Sequence, residues 1–462
     1  MHLLRSMFGE KRIRFTLFAI SLLAHLVVFA LLLVHYGPSA SFFSVDGSLN
    51  GNDAQHYVTI AKNLAEGNGY SRFPDAPFEP DAFRTPLLPL YFVPFVFFGG
   101  LPLIWLPILL LNLILAFAAV LMYKLARLFL PHGYAAAAGL AMALDPLFLY
   151  RSQLAEPDAL FVFLTLGAAY FCALFWGTAR PRYILFSSVI LGISILLKPT
   201  GLYVAIILFA CLAAFVFFFR RGEWRMHARH LIFGALILLA LLAPWLIRNH
   251  ASFGVWGISS VGGFNLYEFY TVNQRLPGEQ VPENIATSSR EPSRHLPNQS
   301  YFTDVAMERI REAPLSYAKE QAVGTLRNLF VSELPVIYYY GHSALLPFPY
   351  NPESTTNLRE LLLQGDGASV FFALAHNIPK VLWFAALLFV YILTFLGWLY
   401  AWKKDRVVFL MFTSFILIFG YFVVASGPYV DAKYRMPAMP LIVIVCAYGV
   451  YELRSQWWRI RP

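Results

Sequence analysis

Residues 200–219 read TGLYVAIILFACLAAFVFFF, a run of twenty residues without a charged side chain. As a helix, a run of this length spans about 30 Å, which matches the hydrocarbon core of a membrane. Backbone polar groups inside lipid must be paired within their own element, so the run is predicted to be a transmembrane helix. The basic stretch RRGEWRMHARH, residues 220–230, follows it directly.

The rest of the chain repeats this pattern. Hydrophobic residues make up 58% of 462 and charged residues only 13%, whereas soluble domains carry about 25% charged residues. About ten crossings are predicted, at 15–36, 86–124, 134–150, 159–176, 184–198, 200–219, 231–248, 381–401, 407–425 and 436–452. The second region is too long for one crossing and is predicted to hold a short helix and then a span, broken at GGLP. The predicted fold class is an all-α integral membrane protein, a multi-span helical bundle.

Basic residues are concentrated on one side of this topology. That side holds 18 of the 35 Lys and Arg and only four acids. The basic residues are Arg5, Lys11, Arg12, Arg14, Lys124, Arg127, Arg180, Arg182, Arg220, Arg221, Arg225, Arg229, Lys403, Lys404, Arg406, Arg454, Arg459 and Arg461. The positive-inside rule makes this side cytoplasmic, with both termini. The net charge of +9 is therefore a topology signal and does not indicate nucleic acid. We expect a multi-pass protein of the inner (plasma) membrane whose first run is a retained anchor.

The sequence divides into three parts. Residues 1–250 form an N-terminal transmembrane module whose first outer loop is 37–85, residues 251–380 form an outer-face insert, and residues 381–462 hold the C-terminal transmembrane helices. The insert contains a Pro- and Ser-rich tract, residues 275–300, that is typical of a loop. Two amphipathic helices that meet at Ala313–Pro314 are predicted after it, lying along the membrane interface.

The first outer loop contains the stretch NGNDAQHYVTIAKNLAEGNGY, residues 50–70. Its apolar residues Tyr57, Ile60, Ala61 and Leu64 follow helical spacing and predict a short helix from about 54 to 66. Asp53 occupies the N-cap position, and capping alone would explain an acid there. The alternative is that Asp53 is a catalytic carboxylate at the membrane surface.

Charged residues also gather at the predicted outer ends of the other helices. The cations are Arg84, Arg151, Lys198, Arg248, Lys433 and Arg435, and the acids beside them are Asp145, Glu156, Asp158 and Asp431. Snorkelling of the side chain to the headgroups explains any one of these cations. It does not explain the group, because the positive-inside rule predicts few basic residues in short outer loops. Cations beside carboxylates suit a substrate that carries phosphate.

This chemistry suggests glycosyl transfer from a lipid-linked phosphate sugar. Cations would stabilise the phosphate that leaves, and a carboxylate would accept the proton of the acceptor hydroxyl. A secondary transporter or flippase for an anionic or lipid-linked solute is the main alternative, although such folds usually show internal repeats, and none is evident here. A scaffold protein would leave the charge cluster unexplained.

With these residues identified, the chain resembles GT-C-type membrane glycosyltransferases. It is similar to the bacterial branch related to protein O-mannosyltransferases and to the lipid A aminoarabinose transferase. The resemblance rests on the order of several short motifs. They are Asp53, Tyr57 and Gly69 in the first loop, Arg84 with Pro86 and Leu87, the acidic turn at Glu156, and the segments KPTG, PWLIRN and KYRMPAMP.

The resemblance implies roles for individual residues. Asp53 would be the catalytic acid of the first loop, and Arg84 would contact the donor phosphate. Glu156, or in its place Asp158, would be the second acid. Further substrate-binding or structural positions would be Tyr57, Lys198, Arg248, Lys433 and Arg435. Two departures weaken the match: Ala54 stands where some relatives have a second acid, and Thr85 replaces a common proline.

The sequence leaves several partners open. A divalent metal at Asp53 and His56 stays open, because an Asp-x-x-His pair on a surface helix is often incidental and no compact metal-ligand cluster accompanies it. The expected partners are a polyprenyl-phosphate sugar donor, membrane lipids and an acceptor that is a lipid, glycan or protein. The sequence does not identify the sugar, hexose or pentose.

Overall fold

A computed structural model describes residues 2–37, 52–332 and 367–460, which contain helices and no β-strand. The longer helices are α1 (His2–Tyr36), α2 (Asn52–Ala65), α3 (Leu87–Gly99), α4 (Trp105–Leu115), α5 (Phe117–Ala126), α6 (His132–Ala143), α7 (Pro146–Arg151), α8 (Asp158–Thr178), α9 (Pro181–Leu197), α10 (Gly201–Phe219), α11 (Trp224–Phe253), α12 (Val261–Asn265), α13 (Glu283–Ala286), α14 (Gln299–Glu312), α15 (Pro314–Phe330), α16 (Gly367–Lys404), α17 (Arg406–Ala425) and α18 (Met439–Ile460). The prediction of an all-α membrane protein is confirmed.

Seven helical segments in the described ranges are long and apolar enough to cross a membrane, against the ten crossings predicted. They are Gly9–Val34, Leu101–Ala126, Asp158–Thr178, Gly201–Phe219, Arg221–Phe253, Val381–Lys404 and Arg406–Ala425. Of the other predicted spans, 184–198 corresponds to the shorter α9. The span predicted over 134–150 is divided between α6 and α7, because α6 ends at Ala143 and Asp145 caps α7 by accepting from Phe148 N at 2.7 Å.

The region predicted to break at GGLP does break there. Helix α3 ends at Gly99, and Gly100 has φ 67°, a left-handed value that glycine adopts without strain. A 3₁₀ turn (Leu101–Leu103) then leads into α4 and α5. The prediction of a short helix followed by a span is therefore confirmed. Arg84, which immediately precedes this region, is held at the entrance of α3.

Ion pairs lie at both ends of the helical bundle. Their distribution agrees with the sides of the membrane that the sequence predicted for these residues. At one end Arg127 lies 3.7 Å from Glu10, and Lys404 pairs with Glu452. At the other end Arg151 lies 3.6 Å from Asp431. The second of these ends carries the residues that the sequence predicted to be outside, and it is called the site end below.

The described part of the insert, residues 254–332, packs on the site end. Helices α14 and α15 meet at Ala313–Pro314 as predicted. Ser260 N donates to Ala82 O at 3.2 Å, which ties the insert to the first loop. Asn328 of α15 donates to the Ser426 hydroxyl at 2.8 Å, which ties it to the loop between α17 and α18. The insert therefore joins the two loops that carry the site.

Candidate active site

Helix α2 presents Asp53 at the site end. The apolar face predicted for this helix is inside the protein, with Tyr57, Ile60 and Ala61 buried. The helix begins at Asn52, two residues before the predicted start, so Asp53 lies in its first turn. The carboxylate of Asp53 is 39% exposed and contacts two cations, Arg84 and Lys433. The position of the Asp53 carboxylate is fixed because the opposite face of α2 is buried in the protein.

Arg84 connects Asp53 to His56. Its Nη2 donates to Oδ1 of Asp53, and its Nε lies 3.2 Å from Nδ1 of His56. The side chain is 10% exposed, and the guanidinium lies over the rings of Tyr57 and Phe83, 5.2 Å and 4.6 Å from their centroids. Such stacking suits a planar guanidinium and fixes its direction.

A chain of alternating charges runs from Asp53 into the bundle. Lys433 Nζ lies 3.8 Å from Asp53 and 3.7 Å from Asp431. Asp431 in turn lies 3.6 Å from Arg151, and Arg151 lies 2.9 Å from Glu156. Three separate loops are therefore joined by ion pairs. The structure brings together the catalytic candidates Asp53 and Glu156 in one network, and Asp431, one of the outer acids noted in the sequence, links them.

Asp158 and Lys198 form a second pair at the same end. Lys198 Nζ lies 2.5 Å from Asp158 Oδ1, and the acid is 4% exposed. Asp158 begins α8 and Lys198 ends α9, so the pair joins two adjacent helices. The ammonium group of Lys198 therefore binds an acid inside the protein and does not extend to the lipid headgroups.

The two candidate acids have opposite electrostatic environments. Burial would raise the pKa of Asp53, but the attraction of Arg84 and Lys433 is stronger and lowers the pKa well below its usual range. Burial raises the pKa of Glu156, and the nearby Arg151 offsets this only partly. Two carboxyl groups whose pKa values are driven apart are suited to different roles. Asp53 is the one that stays ionised.

His56 is a neutral hydrogen-bonding group in this arrangement. Burial, and then repulsion by Arg84, Arg72 and Arg294, lowers the pKa of His56 to about 2. Because the nitrogens of Arg84 only donate, Nδ1 of His56 accepts and the ring proton lies on Nε2. Nδ1 of His56 and the carboxylate of Asp53 are thus both engaged with a guanidinium.

This engagement does not fit the metal site that the sequence left open at Asp53 and His56. A divalent cation between the two would have to displace Arg84. It would also be repelled by Lys433 near Asp53 and by Arg72 and Arg294 near His56. Among the residues that the structure describes, no group of three or more His, Cys, Asp and Glu side chains has a metal-binding arrangement.

Two of the predicted substrate-binding or structural residues, Arg248 and Arg435, donate to backbone carbonyl groups. Arg248 donates to Asp81 O at 2.6 Å and lies over the Tyr70 ring. Arg435 is 2% exposed and donates to Asn328 O at 2.8 Å and to Val331 O at the end of α15. Both therefore hold the insert or the first loop in place, which is the structural alternative that the resemblance allowed.

Three residues that sequence reasoning missed, from the insert and the first loop, lie next to the Phe83 ring on which Arg84 stacks. The guanidinium groups of Arg72 and Arg294 lie over the Phe83 ring, 5.3 Å and 5.0 Å from its centroid, on which Arg84 also lies. Glu291 accepts from both Arg72 and Arg294. Arg294 and Glu291 belong to the Pro- and Ser-rich tract, in which no sequence signal separates a site residue from an ordinary loop charge.

Two open clefts lie at this position. The larger, about 460 Å³, is lined by Phe264, Glu268, Phe269, Glu291, Ser293 and Arg294. The smaller, about 200 Å³, is lined by Gln55, His56, Thr59, Arg72, Phe73, Pro74, Glu291 and Arg294. Glu291 and Arg294 line both clefts, so the two clefts adjoin each other, and the smaller one lies between the insert and α2.

A family described as Dolichyl-phosphate-mannose-protein mannosyltransferase matches residues 97–247. Over that segment the match confirms the resemblance to membrane glycosyltransferases. No curated protein matches the chain by sequence.

Solved structures of low sequence identity are also similar. The apo oligosaccharyltransferase of Archaeoglobus fulgidus is 14% identical with a TM-score of 0.48, over 96% of this chain and 51% of that one. The same enzyme tethered to an acceptor peptide is 15% identical with a TM-score of 0.49, over 96% and 50%. ArnT from Cupriavidus metallidurans bound to undecaprenyl phosphate is 14% identical with a TM-score of 0.39, over 93% and 77%. The chain thus spans about half the length of the archaeal enzyme.

Proposed function

We propose that this chain is a membrane glycosyltransferase that moves a sugar from a polyprenyl-phosphate carrier to an acceptor hydroxyl on the outer face. The observation that carries the proposal is an ionised carboxylate, Asp53, in contact with two cations at the end of a transmembrane bundle. The family that matches residues 97–247 is described by a dolichyl-phosphate sugar donor, which agrees with this chemistry.

In the proposed reaction the acceptor oxygen attacks the anomeric carbon of the donor sugar. The bond between that carbon and the phosphate oxygen breaks, and its electron pair stays on the phosphate. Arg84 and Lys433 stabilise the negative charge that develops there. Asp53 takes the proton of the acceptor hydroxyl as general base.

The contacts of Asp53 explain how a carboxylate of low pKa acts as a base. A donor phosphate that binds Arg84 and Lys433 competes with Asp53 for the same cations. Its negative charge also repels the carboxylate, so the pKa of Asp53 rises when the donor is bound. Asp53 would then become a stronger base only when the donor is bound.

The remaining predicted residues support this centre. Glu156 acts as a positioning residue, because it holds Arg151, which contacts Asp431 and through it Lys433. Tyr57 fixes the guanidinium of Arg84. The Asp158–Lys198 pair fixes the ends of α8 and α9 beside the donor phosphate.

The test uses the purified full chain in lipid nanodiscs with a panel of polyprenyl-phosphate sugars and a cell-envelope extract as acceptor source. Release of polyprenyl phosphate is measured by mass spectrometry. Asp53→Asn should lower release by about 10²–10⁴-fold while donor binding persists. The matched control is Asp75→Asn, an exposed acid of the same loop, which should retain activity. Equal release from the wild type and Asp53→Asn, or carrier movement across proteoliposomes without any release, overturns the proposal.

A further inference from the structure

We infer that the larger cleft of the insert is the acceptor site and that the acceptor it binds is a carbohydrate. This inference rests on the proposed function and extends it to a substrate class. It starts from the location of the cleft, whose wall residue Phe264 packs on Phe83 with ring centroids 5.1 Å apart. Phe83 directly precedes Arg84, so an acceptor in the cleft lies beside the Asp53 centre.

A second contact joins the cleft to the other side of the centre. Phe269 lies 5.2 Å from Tyr429 between ring centroids, and Tyr429 lies 5.9 Å from Tyr434. Tyr434 adjoins Lys433, which contacts Asp53. The wall of the cleft is therefore linked by aromatic contacts to the chain segments that carry both cations of the catalytic candidate, Arg84 and Lys433.

The lining combines the groups that recognise sugar hydroxyls. Glu268 already accepts from Arg275, and Glu291 accepts from Arg72 and Arg294. A carboxylate has about four acceptor sites, so both acids can also accept from sugar hydroxyls, and the guanidinium of Arg294 is a planar donor. Phe269 is 40% exposed and provides an aromatic face, whose negative potential attracts the C–H side of a sugar ring. Polar groups of both kinds beside an exposed ring suit a carbohydrate.

The same lining disfavours the two other acceptor classes. Two carboxylates in the wall disfavour a phosphorylated lipid headgroup, because they outnumber the one cation, Arg294, among the described residues that line the larger cleft. An extended peptide commonly binds by adding a strand to a sheet edge, and residues 254–332 contain no strand.

The experiment measures binding of neutral oligosaccharides to the full chain in nanodiscs, without donor, by saturation-transfer difference NMR. A Ser- and Thr-rich peptide and vesicles that contain an anionic phospholipid are compared. Phe269→Ala and Glu268→Gln should each weaken oligosaccharide binding about five- to tenfold, since each removes one stacking or charge-assisted contact. The matched control is Glu320→Gln, an exposed insert carboxylate that accepts from Asn273 at 3.1 Å, and it should bind as the wild type does.

Oligosaccharide binding that neither cleft variant changes overturns the inference, as does binding of the peptide or the vesicles that depends on Phe269. The proposed function is tested separately, because it is read from release of polyprenyl phosphate in the Asp53→Asn comparison. A chain that binds oligosaccharide in the cleft but never releases polyprenyl phosphate contradicts the proposed function and the acceptor role, while the carbohydrate site itself stands.

Discussion

The ammonium group of Lys433 lies 3.8 Å from Oδ2 of Asp53, although the two residues come from opposite parts of the chain. Lys433 belongs to the loop before the last helix, and Asp53 belongs to the first helix after the first span. Since an adjacent cation favours the ionised form of a carboxyl group, this contact adds to that of Arg84 in lowering the pKa of Asp53.

Replacement of Lys433 by Met should therefore shift the pH dependence of turnover. Without this cation Asp53 holds its proton more tightly, so its pKa rises and the acidic limb of kcat/KM against pH moves to higher pH. Turnover at neutral pH should also fall, by about 10²-fold for the loss of one stabilising charge. Lys433→Arg, which keeps the charge, should retain the wild-type limb. Superimposable profiles for Lys433→Met and the wild type would contradict the role given to Asp53.

Arg84 should be sensitive to geometry as well as to charge. Arg84→Gln removes the cation and should lower polyprenyl phosphate release about 10²–10³-fold. Arg84→Lys keeps the charge, but a single ammonium group cannot reach both Asp53 and His56 with the same geometry, so only partial activity is expected. Arg311→Gln, at an exposed position of α14, is the control. Full activity of Arg84→Lys would mean that charge alone matters there.

The main features of this fold can be predicted from sequence because membrane crossing depends on local composition. Apolar runs such as 200–219 correspond to single helices, and the break at GGLP follows from Gly100. The number of spans was less predictable, since the length of α9 and the division at Asp145 depend on packing and capping. Asp53, Arg84 and Lys433 could be selected because charge is rare in such a chain.

The contributions of the insert could not be predicted in the same way. Arg294 and Glu291 gain their roles only when the tract folds back onto Arg72 and Phe83 of the first loop. Nothing in the local sequence encodes that distant contact. For the same reason the sequence left Arg435 as either a substrate-binding or a structural cation, because its contact with the backbone at the end of α15 depends on the folded chain.

The Asp158–Lys198 pair should show strong energetic coupling. Asp158→Asn leaves the Lys198 ammonium, 18% exposed, without its acid partner, and breaking a buried pair in this way costs about 3–5 kcal/mol, with the lower end expected here because some solvent reaches the lysine. The double variant Asp158→Asn, Lys198→Gln should recover part of that loss. Thermal unfolding of the four proteins in detergent gives the coupling energy by a double-mutant cycle.

An exposed pair provides the control for that cycle. Lys62 and Glu66 of the first loop lie 3.8 Å apart with side chains 39% and 49% exposed, so Glu66→Gln should change stability by about 0–1 kcal/mol. If Asp158→Asn is as mild as Glu66→Gln, the buried pair does not fix the ends of α8 and α9.

Close packing of α16 against α18 gives the last prediction. A Cβ at Gly397 would overlap the carbonyl oxygen of Val445, and a Cβ at Gly449 would overlap that of Leu393. Small residues at such crossings let membrane helices approach closely, and added atoms force them apart. Gly397→Ala should therefore cost about 1–3 kcal/mol, seen as a lower Tm in detergent. Gly420 of α17 has open space around its Cβ position, so Gly420→Ala should be neutral or slightly stabilising, because alanine favours the helix. Equal Tm values for the two variants would show that α16 and α18 are packed less closely than this crossing requires.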